Sequence, residues 1–244
     1  MGFSRLKPTS LKPKAILKIL SADFVTSAAA GGGSVGVPRD GIPQIALAGR
    51  SNVGKSSLLN ALCRRKIART SAAPGKTRLA NVYRVHLDGG AGPGHWDLYL
   101  VDLPGYGYAR GGAGAAAELA AVAEGYFRDA QPHGVFLLVD ARHPGLESDV
   151  DAARWMDGIG VSLHVIATKI DKLTRSERAR NLKALERTFG TAALPMSATD
   201  GEGLDELWKL IASLARGPAP PHGATRNRPP PPEAPRPPSS NSRR

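Results

Sequence analysis

Short apolar runs alternate with amphipathic segments along the chain between residues 44 and 216. Runs of five to seven mainly apolar residues are typical of β-strands, and apolar positions that repeat at a helical period are typical of α-helices. The stretch VFLLV is apolar at every position, which indicates a strand covered on both faces of a sheet. The predicted strands are 44–48, 81–87, 96–101, 134–139, 163–167 and 192–196, and the predicted helices are 55–65, 115–130, 147–158, 174–188 and 203–215.

This alternation predicts an α/β fold of three layers, in which a mostly parallel sheet of six strands has helices on both faces. Such sheets bind ligands at the carboxyl ends of their strands, so residues that follow strands are the first candidates for a site. We place this domain at residues 44–216. A basic N-terminal segment and lead-in loop (1–43) precede it, and a Pro- and Arg-rich tail (217–244), which we expect to be disordered, follows it.

The net charge of +12 is concentrated at the two ends of the 244-residue chain. Residues 1–18 carry five Lys or Arg and no acid, and residues 217–244 carry a net +4, which leaves +3 for the region between them. Basic ends favour a polyanionic partner, above all a nucleic acid, although solubilising tails explain the same charges equally well. The single cysteine, Cys63, suits a reducing cytosol. Since we find no apolar run that is long enough to span a bilayer, we expect a cytoplasmic protein without a membrane span.

A phosphate-binding loop is predicted between the first strand of this pattern and the helix that follows it. Gly49, Gly54, Lys55 and Ser56 fit the pattern G-x-x-x-x-G-K-S/T, in which glycines let backbone N–H groups turn towards phosphate oxygens. Lys55 would reach the β- and γ-phosphates, and Ser56 would give its hydroxyl to Mg²⁺. The nucleotide-binding candidates in this loop are Gly49, Arg50, Ser51, Asn52, Val53, Gly54, Lys55, Ser56 and Ser57.

The stretch LYLVDLPGYGYA places a carboxylate at the end of another predicted strand. Asp102 would hold Mg²⁺ there through water, and the N–H group of Gly105 is free to meet a γ-phosphate oxygen. The candidates from this D-x-x-G pattern are Asp102, Leu103, Pro104 and Gly105.

The stretch VIATKIDK ends a further strand with the pattern T-K-x-D. The carboxylate of Asp171 can accept hydrogen bonds from N1–H and the exocyclic amine of guanine, whereas adenine offers no such pair of donors. The stem of Lys169 can cover the face of the base, and a backbone N–H near Ser197 or Ala198 can meet guanine O6. The base-binding candidates are Thr168, Lys169, Asp171, Lys172, Ser197, Ala198 and Thr199.

The order and the residues of these motifs resemble those of the EngB (YihA/YsxC) ribosome-biogenesis GTPases, within the TrmE-Era-EngA-EngB-Septin-like superfamily. The resemblance rests on GRSNVGKSSLLNAL, APGKTR, DLPGYGYA, TKIDK and SAT, and it covers about residues 20–216. It implies a P-loop G domain that binds and hydrolyses GTP with Mg²⁺. It also implies a role in assembly of the large ribosomal subunit, on its rRNA or protein precursors, and a link to normal cell division and septation.

The resemblance assigns Thr77 to Mg²⁺ and the γ-phosphate in the GTP state. It adds the binding candidates Gly75, Lys76, Thr77, Arg78 and Leu79, and it gives the metal set Ser56, Thr77 and Asp102 and the catalytic set Lys55, Thr77, Gly105 and Asn52.

Tyr106 stands where many GTPases carry a glutamine that orients water, so we expect slow intrinsic hydrolysis. Asn52 is similar to an asparagine that helps related GTPases to bind K⁺, and we therefore expect hydrolysis to be stimulated by K⁺. We expect a monomer.

Two other functions compete with a GTP-hydrolysing switch in ribosome assembly. One is a GTP-dependent scaffold or binding module for division proteins, in which hydrolysis is incidental. The other is an ATP-using P-loop enzyme, which Asp171 disfavours because adenine would leave its carboxylate unpaired.

Overall fold

The protein is described by a computed structural model over residues 17–29, 36–68, 79–89, 94–106 and 115–217. The strands are β1 (Lys18–Ala29), β2 (Gln44–Gly49), β3 (Leu79–Asp88), β4 (His95–Asp102), β5 (Gly134–Asp140), β6 (Leu163–Thr168) and β7 (Leu194–Pro195). The helices are α1 (Lys55–Cys63), α2 (Ala115–Ala130), α3 (Glu147–Gly158), α4 (Arg175–Phe189) and α5 (Leu204–Arg216), and a short 3₁₀ helix spans Ile170–Lys172.

These strands form a single sheet in the order β1-β3-β4-β2-β5-β6-β7. The strands β4, β2, β5, β6 and β7 run parallel to one another, whereas β3 pairs antiparallel with both β1 and β4. The predicted α/β fold with a mostly parallel sheet is therefore confirmed.

The predicted number of six strands is wrong, because the sheet has seven within the described ranges. The additional strand, β1, lies at the edge, and it comes from the stretch that precedes residue 44. Its register with β3 shifts at Ile19/Ser21 and again at Phe24/Thr26, so its side chains do not keep a regular alternation. Because polar and apolar residues do not alternate regularly along β1, the sequence does not clearly predict a strand there.

Two hydrophobic cores lie on opposite faces of the sheet, as the alternation along β2 shows. Ala46 and Ala48 belong to the core under α2, α3 and α4, whereas Ile45 and Leu47 belong to the core under α1 and α5. Every residue of β5 is buried, as a central strand with helices on both faces requires. None of the helices in the described ranges is long and apolar enough to cross a membrane.

Candidate nucleotide-binding site

The carboxyl ends of the five parallel strands lie side by side, and a predicted motif or a buried acid follows each of them. In sheet order, β4 ends at Asp102, β2 leads into the phosphate loop, and β5 ends at Asp140. β6 leads into the T-K-x-D segment, and Ser197 follows β7. The order of the strands thus separates the predicted phosphate-binding residues, which we call the phosphate end, from the predicted base-binding residues, the base end, along one edge of the sheet.

The phosphate loop has a backbone conformation that requires glycine at two positions. Gly49 has φ 153°, and a Cβ atom there would lie 2.8 Å from the carbonyl oxygen of Leu138. Gly54 has φ 118° and forms the N-cap of α1 without a side-chain hydrogen bond. Helices α3, α4 and α5 carry an acid in their first turn, but α1 carries none. The first turn of α1 is therefore electrostatically suited to an anion.

Lys55 begins α1 and is buried, with its Nζ atom 3.0 Å from the carbonyl oxygen of Gly49. Nζ also donates to the carbonyl oxygen of Arg50, at 3.4 Å, so the loop backbone holds the ammonium group in place. Burial lowers the pKa of Lys55, and the nearby carboxylate of Asp102 opposes that shift. Bound phosphate would supply the negative charge that this buried cation lacks.

Asp102 is buried at the end of β4, and its Oδ1 atom has no hydrogen-bond partner among the residues that the structure describes. Burial raises the pKa of Asp102 to about 6, although Lys55 lowers it. An unpartnered buried carboxylate oxygen fits a hydrated Mg²⁺, which prefers oxygen ligands and keeps several waters. Ser56, in the first turn of α1, would supply the hydroxyl.

The D-x-x-G segment is in direct contact with the phosphate loop. Ser51 donates its N–H to the carbonyl oxygen of Tyr106 at 3.2 Å, and Arg50 and Tyr106 form an isolated parallel bridge. A Cβ atom on Gly105 would lie 2.9 Å from both the Cα and the backbone N of Ser51, so only glycine allows this close approach of the two backbones.

The side chain of Tyr106 points into the protein. It is 2% exposed, and its hydroxyl donates to Asp149 Oδ1 at 2.9 Å. Arg50 Nε lies 3.7 Å from the same oxygen. The phenol is therefore an anchor in the core under α3.

The T-K-x-D segment is also bonded to the phosphate loop. The hydroxyl of Thr168 lies 2.8 Å from the carbonyl oxygen of Val53 and 3.0 Å from that of Val139, and the two oxygens share its one proton. Lys169 has φ 61°, and its Nζ atom donates to the carbonyl oxygen of Asn52 at 2.7 Å. These bonds fix the base end of the edge relative to the phosphate end.

Asp171 receives hydrogen bonds from two of the predicted residues. Ser197 Oγ donates to its Oδ1 atom at 3.0 Å, and Lys172 Nζ lies 3.0 Å from Oδ2. Burial acts to raise the pKa of Asp171, but these two hydrogen bonds outweigh it and the pKa is lowered. The carboxylate is therefore ionised at neutral pH, which is the form that accepts two hydrogen bonds.

Comparison with known proteins identifies the family. The family model of the 50S ribosome-binding GTPases (MMR_HSR1) matches residues 44–183. The probable GTP-binding protein EngB of Anaeromyxobacter sp. (strain K) is 43% identical over 204 residues, covering 82% of this chain and 93% of that protein. The chain belongs to the EngB family. The predicted resemblance is confirmed.

Two solved structures share the fold of this chain. One is an Era variant from Aquifex aeolicus bound to GDP.AlF4-, with a TM-score of 0.58 and 22% identity, covering 71% of this chain and 56% of that one. The other is a probable GTP-binding protein engB, with a TM-score of 0.51 and 22% identity, covering 71% of this chain and 98% of that one. At this identity both comparisons show the fold alone.

Two acids that contact the predicted motifs were not predicted from the sequence. Asp140 is 3% exposed; it holds Arg142 by two side-chain hydrogen bonds and Lys169 by a third, at 2.9 Å. Asp140 ends an apolar strand, as Asp102 does, so its position in the sequence could have marked it as a candidate. Asp149 shares a buried helical face with Ala152 and Met156, at a spacing that points its carboxylate inwards.

The other predicted residues have varied positions. Leu103 and Pro104 are buried beside the phosphate loop, whereas Ser57 and Thr199 are exposed. Leu79 begins β3 and is 39% exposed. The predicted residues Gly75, Lys76, Thr77 and Arg78 lie outside the described residues.

Proposed function

We propose that this protein is a GTP-hydrolysing molecular switch in the assembly of the large ribosomal subunit, with a consequent role in normal cell division and septation. The observation that carries the nucleotide part is the linkage of the base end to the phosphate end. Lys169 and Thr168 bond to the backbone of Asn52 and Val53, beside the lysine that would bind phosphate. A nucleotide lying along this edge would meet all three.

The proposed ligands follow from that arrangement. The residues of 49–57, with Gly105, would bind the phosphates, and Asp171 with the Ser197–Thr199 loop would bind guanine. Ser56 and Asp102 would hold Mg²⁺, and we keep the expectation that Thr77 joins them. Bound Mg²⁺ would neutralise phosphate charge.

Hydrolysis is proposed to be slow, because the buried Tyr106 offers no amide to orient water. Asn52, which is exposed at the phosphate loop with φ 61°, supports the proposal that K⁺ binds there and assists. Rates in KCl and NaCl at equal ionic strength test this point, and equal rates would contradict it.

The ribosomal part of the proposal is supported by the family and by the charge at the chain ends. The matching family is that of the 50S ribosome-binding GTPases, and both ends are basic. We propose that the protein acts in the cytoplasm as a monomer, on the large subunit or its rRNA and protein precursors.

Depletion of the protein, followed by sedimentation profiling of ribosomal subunits, tests this role. We expect large subunits to fall and precursor particles to accumulate. Purified protein with a GTP analogue should sediment with large subunits, less with GDP, and less as salt rises. Normal subunit profiles together with recruitment to the division site would instead support the GTP-dependent scaffold.

A further inference from the structure

A cluster of three polar side chains, which we call the Asp149 cluster, lies between the phosphate loop, the D-x-x-G segment and α3, with two of its members buried and the arginine partly exposed. It consists of Arg50, Tyr106 and Asp149. Asp149 is 1% exposed, accepts a hydrogen bond from the Tyr106 hydroxyl at 2.9 Å, and lies 3.7 Å from Arg50 Nε. Each of the three residues comes from a different part of the fold.

The cluster is only partly satisfied by hydrogen bonds. Asp149 Oδ2 and Arg50 Nε are buried and have no hydrogen-bond partner within the described ranges. Burial raises the pKa of Asp149, which the Tyr106 hydroxyl and Arg50 oppose. A buried carboxylate is costly unless it accepts hydrogen bonds, so loss of the bond from Tyr106 would destabilise the ionised form of Asp149.

Tyr106 follows Gly105, and the backbone of this pair lies against Ser51. The Tyr106 carbonyl oxygen accepts the Ser51 N–H, while its ring and hydroxyl are fixed in the core. The hydroxyl bond to α3 and the backbone bond to the phosphate loop hold the residue at two points. Both constrain the neighbouring Gly105, whose N–H is the group expected to meet a γ-phosphate.

We propose that Asp149 is a positioning residue, which acts through Tyr106 to hold Gly105 where it meets the third phosphate of GTP. The cluster thereby raises the affinity for GTP relative to that for GDP, and this inference rests on the proposed function of a GTP switch. GDP has no third phosphate, so its affinity does not depend on Gly105. Loss of the Tyr106–Asp149 bond weakens binding of GTP analogues and leaves GDP binding unchanged.

Tyr106→Phe in the full chain tests the inference, because it removes only the hydroxyl. Affinities for GDP and for a non-hydrolysable GTP analogue are measured with Mg²⁺ by titration calorimetry. We expect about a five- to tenfold loss for the analogue, the typical effect of one buried hydrogen bond, and less than about a twofold change for GDP.

Tyr126→Phe is the matched control. Tyr126 is also a buried tyrosine in the same core, and its hydroxyl donates to Gln44 Oε1 at 3.3 Å, away from the site. This variant should lose stability without a change in the ratio of the two affinities.

A second pair of variants separates positioning from a merely structural role. Asp149→Asn keeps an oxygen that can accept from Tyr106 and should retain most of the affinity for the GTP analogue, whereas Asp149→Ala should show the same selective loss as Tyr106→Phe. An unchanged ratio in both Tyr106→Phe and Asp149→Ala would overturn the inference, as would equal losses for GDP and the analogue. If the unmodified protein binds neither nucleotide, the proposed function itself fails, and the inference with it.

Discussion

Two residues of opposite charge, Lys55 and Asp102, are buried at the phosphate end of the site. Their mutual attraction does not fully offset the cost of burying either charge. Burial lowers the pKa of Lys55 and raises that of Asp102 to about 6, despite their mutual attraction. Each shift means that burial disfavours the charged form. In the proposed complex a nucleotide with Mg²⁺ would supply the missing counter-charges, and binding would then be coupled to protonation at these two residues.

The raised pKa of Asp102 predicts a pH-dependent requirement for Mg²⁺. An unperturbed aspartate, as in the unfolded chain, has a pKa of about 3.9. Between about pH 4 and 6, Asp102 is therefore protonated in the folded protein but ionised in the unfolded chain. The carboxylate's contribution to stability therefore falls as pH rises through this window, and its affinity for Mg²⁺ increases. We expect the Mg²⁺ concentration for half-maximal binding of a GTP analogue to be about tenfold higher at pH 5 than at pH 7.5.

Asp102→Asn should bind Mg²⁺ weakly at both pH values and lose this dependence. Asp97→Asn is a suitable control, because Asp97 lies on the same strand but pairs with Arg84 and His86 away from the site. A requirement for Mg²⁺ that does not change with pH in the unmodified protein would contradict the assigned role of Asp102.

Strand β5 contributes to the site through its last residue, although none of the predicted motifs lies on it. Asp140 is buried at the carboxyl end, where it holds Lys169 against the phosphate loop and also binds Arg142. Burial acts to raise the pKa of Asp140, but hydrogen bonds from Arg142 and Lys169 lower it overall. The parallel strands β5 and β6 are adjacent. They position the T-K-x-D segment through their backbone hydrogen bonds and also through the side-chain contact between Asp140 and Lys169.

Asp140→Asn should therefore weaken GDP and GTP-analogue binding equally, by about five- to twentyfold, since it disturbs the base end that both nucleotides share. Titration of both nucleotides measures this. Glu202→Gln, which breaks an exposed pair with Arg178, should change neither affinity, because exposed pairs contribute little. If Asp140→Asn binds both nucleotides with wild-type affinity, the bond from Lys169 to Asn52 is enough to position Lys169, and the role assigned to Asp140 is contradicted.

The helices were predictable from sequence because their signals are local. Arg175–Phe189, for example, was predicted at 174–188, and its start carries a capping box between Thr174 and Glu177. Strand β1 was not predictable, because its partner β3 is distant in sequence and two register shifts break its alternation. The inward orientation of the Tyr106 side chain could not be predicted from the sequence for a similar reason, since its partner Asp149 lies 43 residues further along the chain.

The molecule as a whole combines a mildly basic G domain with two strongly basic ends, and one edge of its sheet carries every motif found in the described residues. The motifs were readable from sequence because parallel strands bring their carboxyl ends together whatever the intervening helices are. Of the two acids that support them, Asp140 is marked in the sequence by its place at the end of an apolar strand, whereas the contacts of Asp149 are visible only in the folded structure. The central claim is that this edge binds a guanine nucleotide, with Asp171 as the residue that recognises the base.

The most direct test is the affinity of Asp171→Asn for GDP and for xanthosine diphosphate. Xanthine has a carbonyl oxygen where guanine has its amine, so an amide donor should replace the carboxylate acceptor. The amide oxygen of the variant can still accept from Ser197, and Asp200→Asn, in the neighbouring exposed turn, is the control. We predict that the wild type prefers GDP by at least about a hundredfold and that Asp171→Asn reverses this preference. GDP binding that survives in Asp171→Asn, or a wild type that binds both nucleotides equally, would contradict the account.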